Sequence, residues 1–152
     1  MAVWSRSFTY EPKIKAVQTG KCTQTIRPKH TVKVGDKIQF HGWEGRPYWS
    51  RWSWRMKVVV TDVIYIMAFK DGVEFSSSPT ERLPWDNPYI TRVAKMDGID
   101  PPTGKAMGEL FNSKYDLTEG IPMQIIRWDW PPYYQADAPP KKKWNEQLQL
   151  EV

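Results

Sequence analysis

The dipeptide Asp71-Gly72, set between Met67-Ala68-Phe69 and Val73-Glu74-Phe75, limits most sharply what this chain can fold into. Asp-Gly suits the two central positions of a tight turn whose twist matches that of paired strands, so the flanking apolar runs are joined as an antiparallel hairpin. Other segments carry the same strand signature. Val34-Gly35-Asp36 is a turn signal, and Lys37-Ile38-Gln39-Phe40 after it alternates polar and apolar as a half-buried strand does. Cys22-Thr23-Gln24-Thr25-Ile26-Arg27 is rich in β-branched residues and is closed by Pro28. A long strand runs through Lys57-Val58-Val59-Val60 toward Ile66, and Gln124-Ile125-Ile126-Arg127-Trp128 is the last.

Helical signals are shorter. Pro12, Ile14 and Val17 sketch a helix that Gly20 stops. Two more are expected at about residues 89–95, ended by Asp97-Gly98, and 105–112, where Met107, Leu110 and Phe111 recur at helical spacing. Residues 42–55 read as a loop or hairpin tip, and 76–88 as a polar, Pro-rich connection. The expected fold class is therefore α+β: a small β-barrel-like domain with two or three short helices. Composition changes after Trp130, where Pro131-Pro132, Pro139-Pro140 and Lys141-Lys142-Lys143 occur. This divides the chain into a domain over 1–130 and a Pro/Lys-rich C-terminal tail over 131–152.

The chain has 152 residues with a formal net charge of +5, a balance that favours polyanionic partners. Its one cysteine, Cys22, excludes an intramolecular disulfide and points to a reducing, cytoplasmic compartment. The first residues lack a signal-peptide pattern, and the most apolar stretch, residues 58–69, is too short to span a bilayer. A soluble protein without membrane partners is expected. With only His30 and His41 beside Cys22, no ordinary Cys/His zinc site can be assembled, and neither metal nor cofactor is expected. The segment from Gly98 to Ala106 has five residues between its glycines where a phosphate-binding loop needs four, and Ala106 offers no hydroxyl to Mg²⁺.

Two constellations remain. On a strand, Thr23, Thr25 and Arg27 share one face, a row of donors suited to phosphate or a base edge, or simply a solvated edge. Cys22, beside Lys21, reads either as a small buried hydrophobe or as an activated nucleophile without an evident base. The second constellation interleaves aromatics and arginines: Trp43, Arg46, Tyr48, Trp49, Arg51, Trp52, Trp54 and Arg55. Flat faces for stacking beside guanidiniums suit single-stranded nucleic acid, although part of this set must pack inward. Spacing does not say which part. Lys141-Lys142-Lys143 adds phosphate attraction or is a solvated run.

Gly20, the basic residue beside it, Thr25 and Arg27 resemble the signature of the ASCH domain, a branch of the PUA-like RNA-binding superfold. The resemblance continues through Val34-Gly35-Asp36, Met96-Asp97-Gly98, Glu109-Leu110-Phe111 and Ile125-Ile126-Arg127-Trp128, covering roughly residues 8–130. It implies a small PUA-like, partly open β-barrel with a cleft between barrel and helices. It also implies RNA or a modified nucleoside as partner, held by Lys21, Thr23, Thr25, Arg27 and a loop aromatic such as Trp43 or Tyr48. Relatives include an amidohydrolase that deacetylates N4-acetylcytidine and a single-strand ribonuclease. By that resemblance, Lys21, Thr25 and Asp97, or Glu109 as the acid, form a catalytic set. The family's lysine register falls on Cys22, with Lys21 one place earlier.

Overall fold

The computed structural model describes residues 2–46 and 50–136. Tyr48 and residues 137–152 of the expected tail lie outside them. The described chain is mixed α+β, with three helices and eight strands in one open sheet. In chain order the elements are β1 (Val3–Ser7), α1 (Glu11–Gln18), β2 (Gln24–Pro28), β3 (Lys37–Trp43), β4 (Trp52–Ala68), β5 (Gly72–Phe75), β6 (Arg82–Pro84), α2 (Pro88–Met96), α3 (Gly104–Lys114), β7 (Ile121–Trp128) and β8 (Tyr134–Ala136).

β4 is the axis of the molecule. Its first half pairs antiparallel with β3, from Lys37↔Val59 to Trp43↔Trp52, and its second half with β7, from Val60↔Trp128 to Ala68↔Ile121. The ladder to β7 shifts register between Val60 and Asp62. Such a bulge sharpens local twist and lets one strand serve two differently oriented neighbourhoods. Beyond it, β4 turns through Asp71-Gly72 into β5, the hairpin expected from sequence, with Ala68↔Val73 in register. β2 lies against the other edge of β7, with Thr25↔Ile126 and Arg27↔Gln124. β1 pairs parallel with β3, Val3↔Lys37 through Ser7↔His41, and the α1–β2 segment makes the crossover a parallel pair requires.

The residues of the expected loop at 42–55 extend β3 to Trp43 and open β4 at Trp52, which leaves a shorter tip. β1 and β6 were not expected. The helices form where their ends are chemically marked. Asn87 caps α2 by accepting from the Tyr89 amide at 2.8 Å, with Pro88 in the first turn. Thr103 caps α3 through the Ala106 amide at 3.1 Å.

Two hydrophobic clusters hold these elements. One packs Ile90, Val93 and Ala94 of α2 and Met107 and Phe111 of α3 onto Ile66, Ala68, Met123 and Ile125 of β4 and β7. The other gathers Phe8, Val17 of α1, Ile38, Phe40, Met56, Val58 and Trp128. Burying a side chain the size of Ile38 or Phe40 contributes roughly 1.5–3 kcal/mol.

Part of the segment assigned to the tail contacts the domain. β8 pairs with β4 over Arg55↔Ala136 to Lys57↔Tyr134, and the Gln135 Nε2 donates to the Gln18 carbonyl at 2.7 Å. Just before it, the Trp130 indole covers Gly20, where φ is +79° and an added Cβ would come within 2.5 Å of the ring. A chain ending at Trp130 keeps that lid and, among the described residues, loses the edge hydrogen bonds of β8, each contributing about 0.5–1.5 kcal/mol, and the contacts of Tyr133 and Tyr134 with the Lys37 and Lys57 ammoniums. Thermal unfolding of that truncation is expected to remain one cooperative transition at a lower midpoint. A broad, non-cooperative transition would show that residues 131–152 are integral to the fold.

Candidate functional site

Between the two hydrophobic clusters a cleft of about 250 Å³ opens, walled by the Ser7–Tyr10 segment, α1, β2, the end of α2 and the last turns of α3. At its floor, Lys13 of α1 and Asp97, the residue that ends α2, form an ion pair at 2.9 Å with side chains only 7% and 5% exposed. Gln24 of β2 donates its Nε2 to the Asp97 Oδ1 and to the Val93 carbonyl, each at 3.2 Å, and its Oε1 accepts from the Arg127 Nε at 3.0 Å. The carboxylate is thus held from α1 and from β2. Burial pushes the Asp97 carboxyl up, and Lys13 and Gln24 pull against that shift.

Arg27 lies on the cleft face of β2, two residues from Thr25 as alternation requires. Its Nε donates to the Thr25 Oγ1 at 3.1 Å and its Nη2 to the Ser7 carbonyl at 2.9 Å. No hydrogen bond occupies the remaining terminal nitrogen among the described residues. The Phe8 ring sits beside both cations, 4.8 Å from the Arg27 guanidinium and 5.5 Å from the Lys13 ammonium. Such contacts favour the charged forms. Lys114 of α3 enters from the opposite wall beside Tyr115 and makes no ion pair among the described residues. Lys13, Arg27 and Lys114 thus face one carboxylate, and the cleft carries excess positive charge. Burial and then Arg6 bring Arg27 down to about 10; burial, Arg27 and Lys13 lower Lys114.

Of the residues singled out from sequence, Thr25, Arg27 and Asp97 come together here. Lys21 is exposed and does not line the cleft. Thr23 precedes β2, and its carbonyl accepts from the Trp128 amide at 3.1 Å. Glu109 is exposed on α3, in a surface hollow with Lys70 and Lys105. The Cys22 thiol is buried and donates to the carbonyls of Gln24 and Met96, both at 3.2 Å, and burial raises its pKa. It is a packed thiol, not a poised thiolate.

Trp43 lines a second cavity, of about 480 Å³, with Trp54, Ile14, Glu11 and Gln18; Phe8 and Thr9 are common to both. His41 stacks on Trp52 at 4.3 Å and meets Trp43 edge-on at 5.0 Å, and the Arg55 guanidinium lies 4.3 Å from the same Trp52 ring. Burial, followed by Arg55 and Arg27, pushes His41 down to about 4.

The sequence reading missed Lys13, Lys114 and Gln24. Lys13 stands four residues before Val17, which is completely buried, so the two share a helix face. That spacing was the available signal. Among the described residues no helix is long and apolar enough to cross a membrane, and no three His, Cys, Asp or Glu side chains gather as metal ligands would. Neither a family model, nor a characterised protein, nor a solved structure matches the chain.

Two measurements check this geometry. Replacing Asp97 by Ala leaves the Lys13 ammonium buried without its partner and is expected to cost about 3–5 kcal/mol in urea unfolding, with part recovered in Lys13→Met/Asp97→Ala. A cost near zero would mean that the pair is solvated. His41 gives the pH dependence. Above about pH 6.5, the ordinary value, both states hold it neutral, and below that pH only the unfolded chain takes up the proton. Stability is therefore expected to fall as pH drops from about 6.5 to about 4, and His41→Gln to flatten that slope. An unchanged slope would place His41 in contact with water.

Proposed function

We propose that this chain is an ASCH-type domain with PUA-like, partly open barrel architecture, and that it binds RNA or a modified nucleoside in the cleft between β2 and α3. The observation that carries the reading is the cleft itself: Lys13, Arg27 and Lys114 face a single carboxylate, Asp97, beside Thr25. A ligand phosphate offsets that surplus of charge. Arg27 supplies a free terminal N–H beside the Thr25 hydroxyl, while Tyr10, Phe8 and Tyr115 provide ring faces and edges along the walls. The order of the sequence motifs supports the family assignment, since the two that converge on this cleft, Thr25/Arg27 and Asp97, are far apart in the chain.

A second reading rests on the Lys13–Asp97 pair. An amidohydrolase needs a cation at the scissile carbonyl and a carboxylate to carry the proton. Lys13 would fill the first role, in place of the exposed Lys21, and Asp97 the second, with Thr25 at hand.

Titration of the full chain with short single-stranded RNA and with cytidine monophosphate tests both readings. Binding is expected to weaken as salt is raised, and Arg27→Ala to weaken it by tenfold or more. Affinity that is absent throughout, or indifferent to salt and to Arg27, would overturn the binding proposal. Steady turnover of N4-acetylcytidine that Lys13→Met abolishes would put the hydrolase first.

A further inference from the structure

A second positively charged surface lies outside the cleft. β1, β3, the first half of β4 and β8 pair side by side, so their side chains alternate between the two faces of one sheet. One face is core: Ile38, Phe40, Met56 and Val58 point into the cluster that also holds Val17 of α1. The opposite face meets solvent, with Val3 75% and Val59 41% exposed. Register puts three cations on it. Lys37 stands between Val3 and Val59, Lys57 between Gln39 and Tyr134, and Arg55 between His41 and Ala136. Among the described residues none of the three forms an ion pair, and none of the residues paired across these strands is Asp or Glu. The rings of Tyr133 and Tyr134, residues 54% and 42% exposed, lie beside the Lys37 and Lys57 ammoniums at 5.6 and 5.0 Å.

Resting on the binding function proposed above, we propose that this sheet face is a track for single-stranded RNA that leads into the cleft, so that the ligand is a polymer and not a free nucleoside. Three cations with no carboxylate among them attract a polyanion. At about 3.3 Å per residue the rows from Lys37 to His41 span about 13 Å, so the cations address successive phosphates of one backbone. Exposed tyrosine rings beside those cations suit the unstacked bases of a single strand, which a duplex hides. The face is also continuous with the cleft. β1 ends at Ser7, opposite His41 in the row of Arg55, and the Ser7 carbonyl accepts from Arg27 at the cleft wall. A strand that follows the face past Arg55 arrives at Arg27.

The test titrates the full chain with uridine monophosphate and with an oligouridylate about twelve nucleotides long, over a range of salt. The oligomer is expected to bind about tenfold or more tightly than the mononucleotide. Lys37→Gln/Lys57→Gln is expected to make the plot of log affinity against log salt shallower by about 1.4, two phosphate contacts at about 0.7 each on a single strand. It is expected to leave the mononucleotide's affinity unchanged, which also shows that the variant is folded. Lys70→Gln/Lys105→Gln removes the same charge from the hollow around Glu109 and is expected to keep the original slope. Tyr134→Ala is expected to weaken the oligomer about tenfold, the loss of one stacked base. Equal affinity for oligomer and mononucleotide, or a slope that both double variants change alike, overturns this inference, and the cleft reading stands if Arg27→Ala still weakens binding. Equal competition by polyglutamate overturns it in favour of an acidic protein partner. Oligomer binding that depends on Lys37 and Lys57 but ignores Arg27→Ala overturns the cleft reading and leaves RNA on the sheet face. Absence of binding by both ligands overturns the two together.

Discussion

The Lys13–Asp97 ion pair is the constraint around which the rest of the cleft is arranged. Two charges this deeply buried persist only when matched to each other and to further hydrogen bonds, and here the matching groups come from separate elements. Lys13 rises from α1, Asp97 closes α2, and Gln24 reaches in from β2 while its own oxygen is held by Arg127 of β7. Displacing any one of these elements strands a charge or an amide in a low-dielectric interior. The pair thereby fixes where α1 and α2 sit against β2, and so how wide the cleft can be.

That arrangement separates two kinds of surface. Apolar side chains of both clusters reach the cleft wall, Phe8 from one and Phe111 from the other, and between them stand the charged groups of Lys13, Arg27, Asp97 and Lys114. Phe8 is the hinge of this division. It packs on Phe40 and Trp54 behind, accepts Lys13 and Arg27 over its ring, and borders the aromatic cavity beside them. A cation over a ring face keeps its charge without needing a carboxylate partner, which is how the site retains positive charge inside a packed structure.

Much of the architecture was legible because its signals are local. Asp71-Gly72 dictated a hairpin, Met107, Leu110 and Phe111 at helical spacing marked α3, and alternation along Lys37-Ile38-Gln39-Phe40 marked a strand with one buried face. β1 escaped notice because Val3-Trp4-Ser5-Arg6-Ser7 is half-polar and becomes a strand only by lying along β3. β4 starts earlier than expected because Trp52 and Trp54 sit in a run of arginines and glycines that reads as a loop. Within the site, Thr25 and Arg27 were visible from strand alternation. Lys13 was not, because what buries it is Asp97, a partner far along the chain that no spacing around Pro12 reveals.

The pairing of β2 with β7 has a consequence in time. Among the described residues β2 has no neighbour in the sheet other than β7, and its partners run from Arg127 opposite Gln24 to Met123 opposite Pro28. Most of the chain must be synthesised before Thr25 and Arg27 have a strand to lie against. Long-range contacts of this kind incur a loop-closure entropy that local hairpins do not. The β4–β5 hairpin and the capped helices can form while the chain is still emerging, whereas the cleft is assembled near the end of synthesis. A nascent or C-terminally shortened chain can therefore hold much of its secondary structure and still lack a place for a ligand.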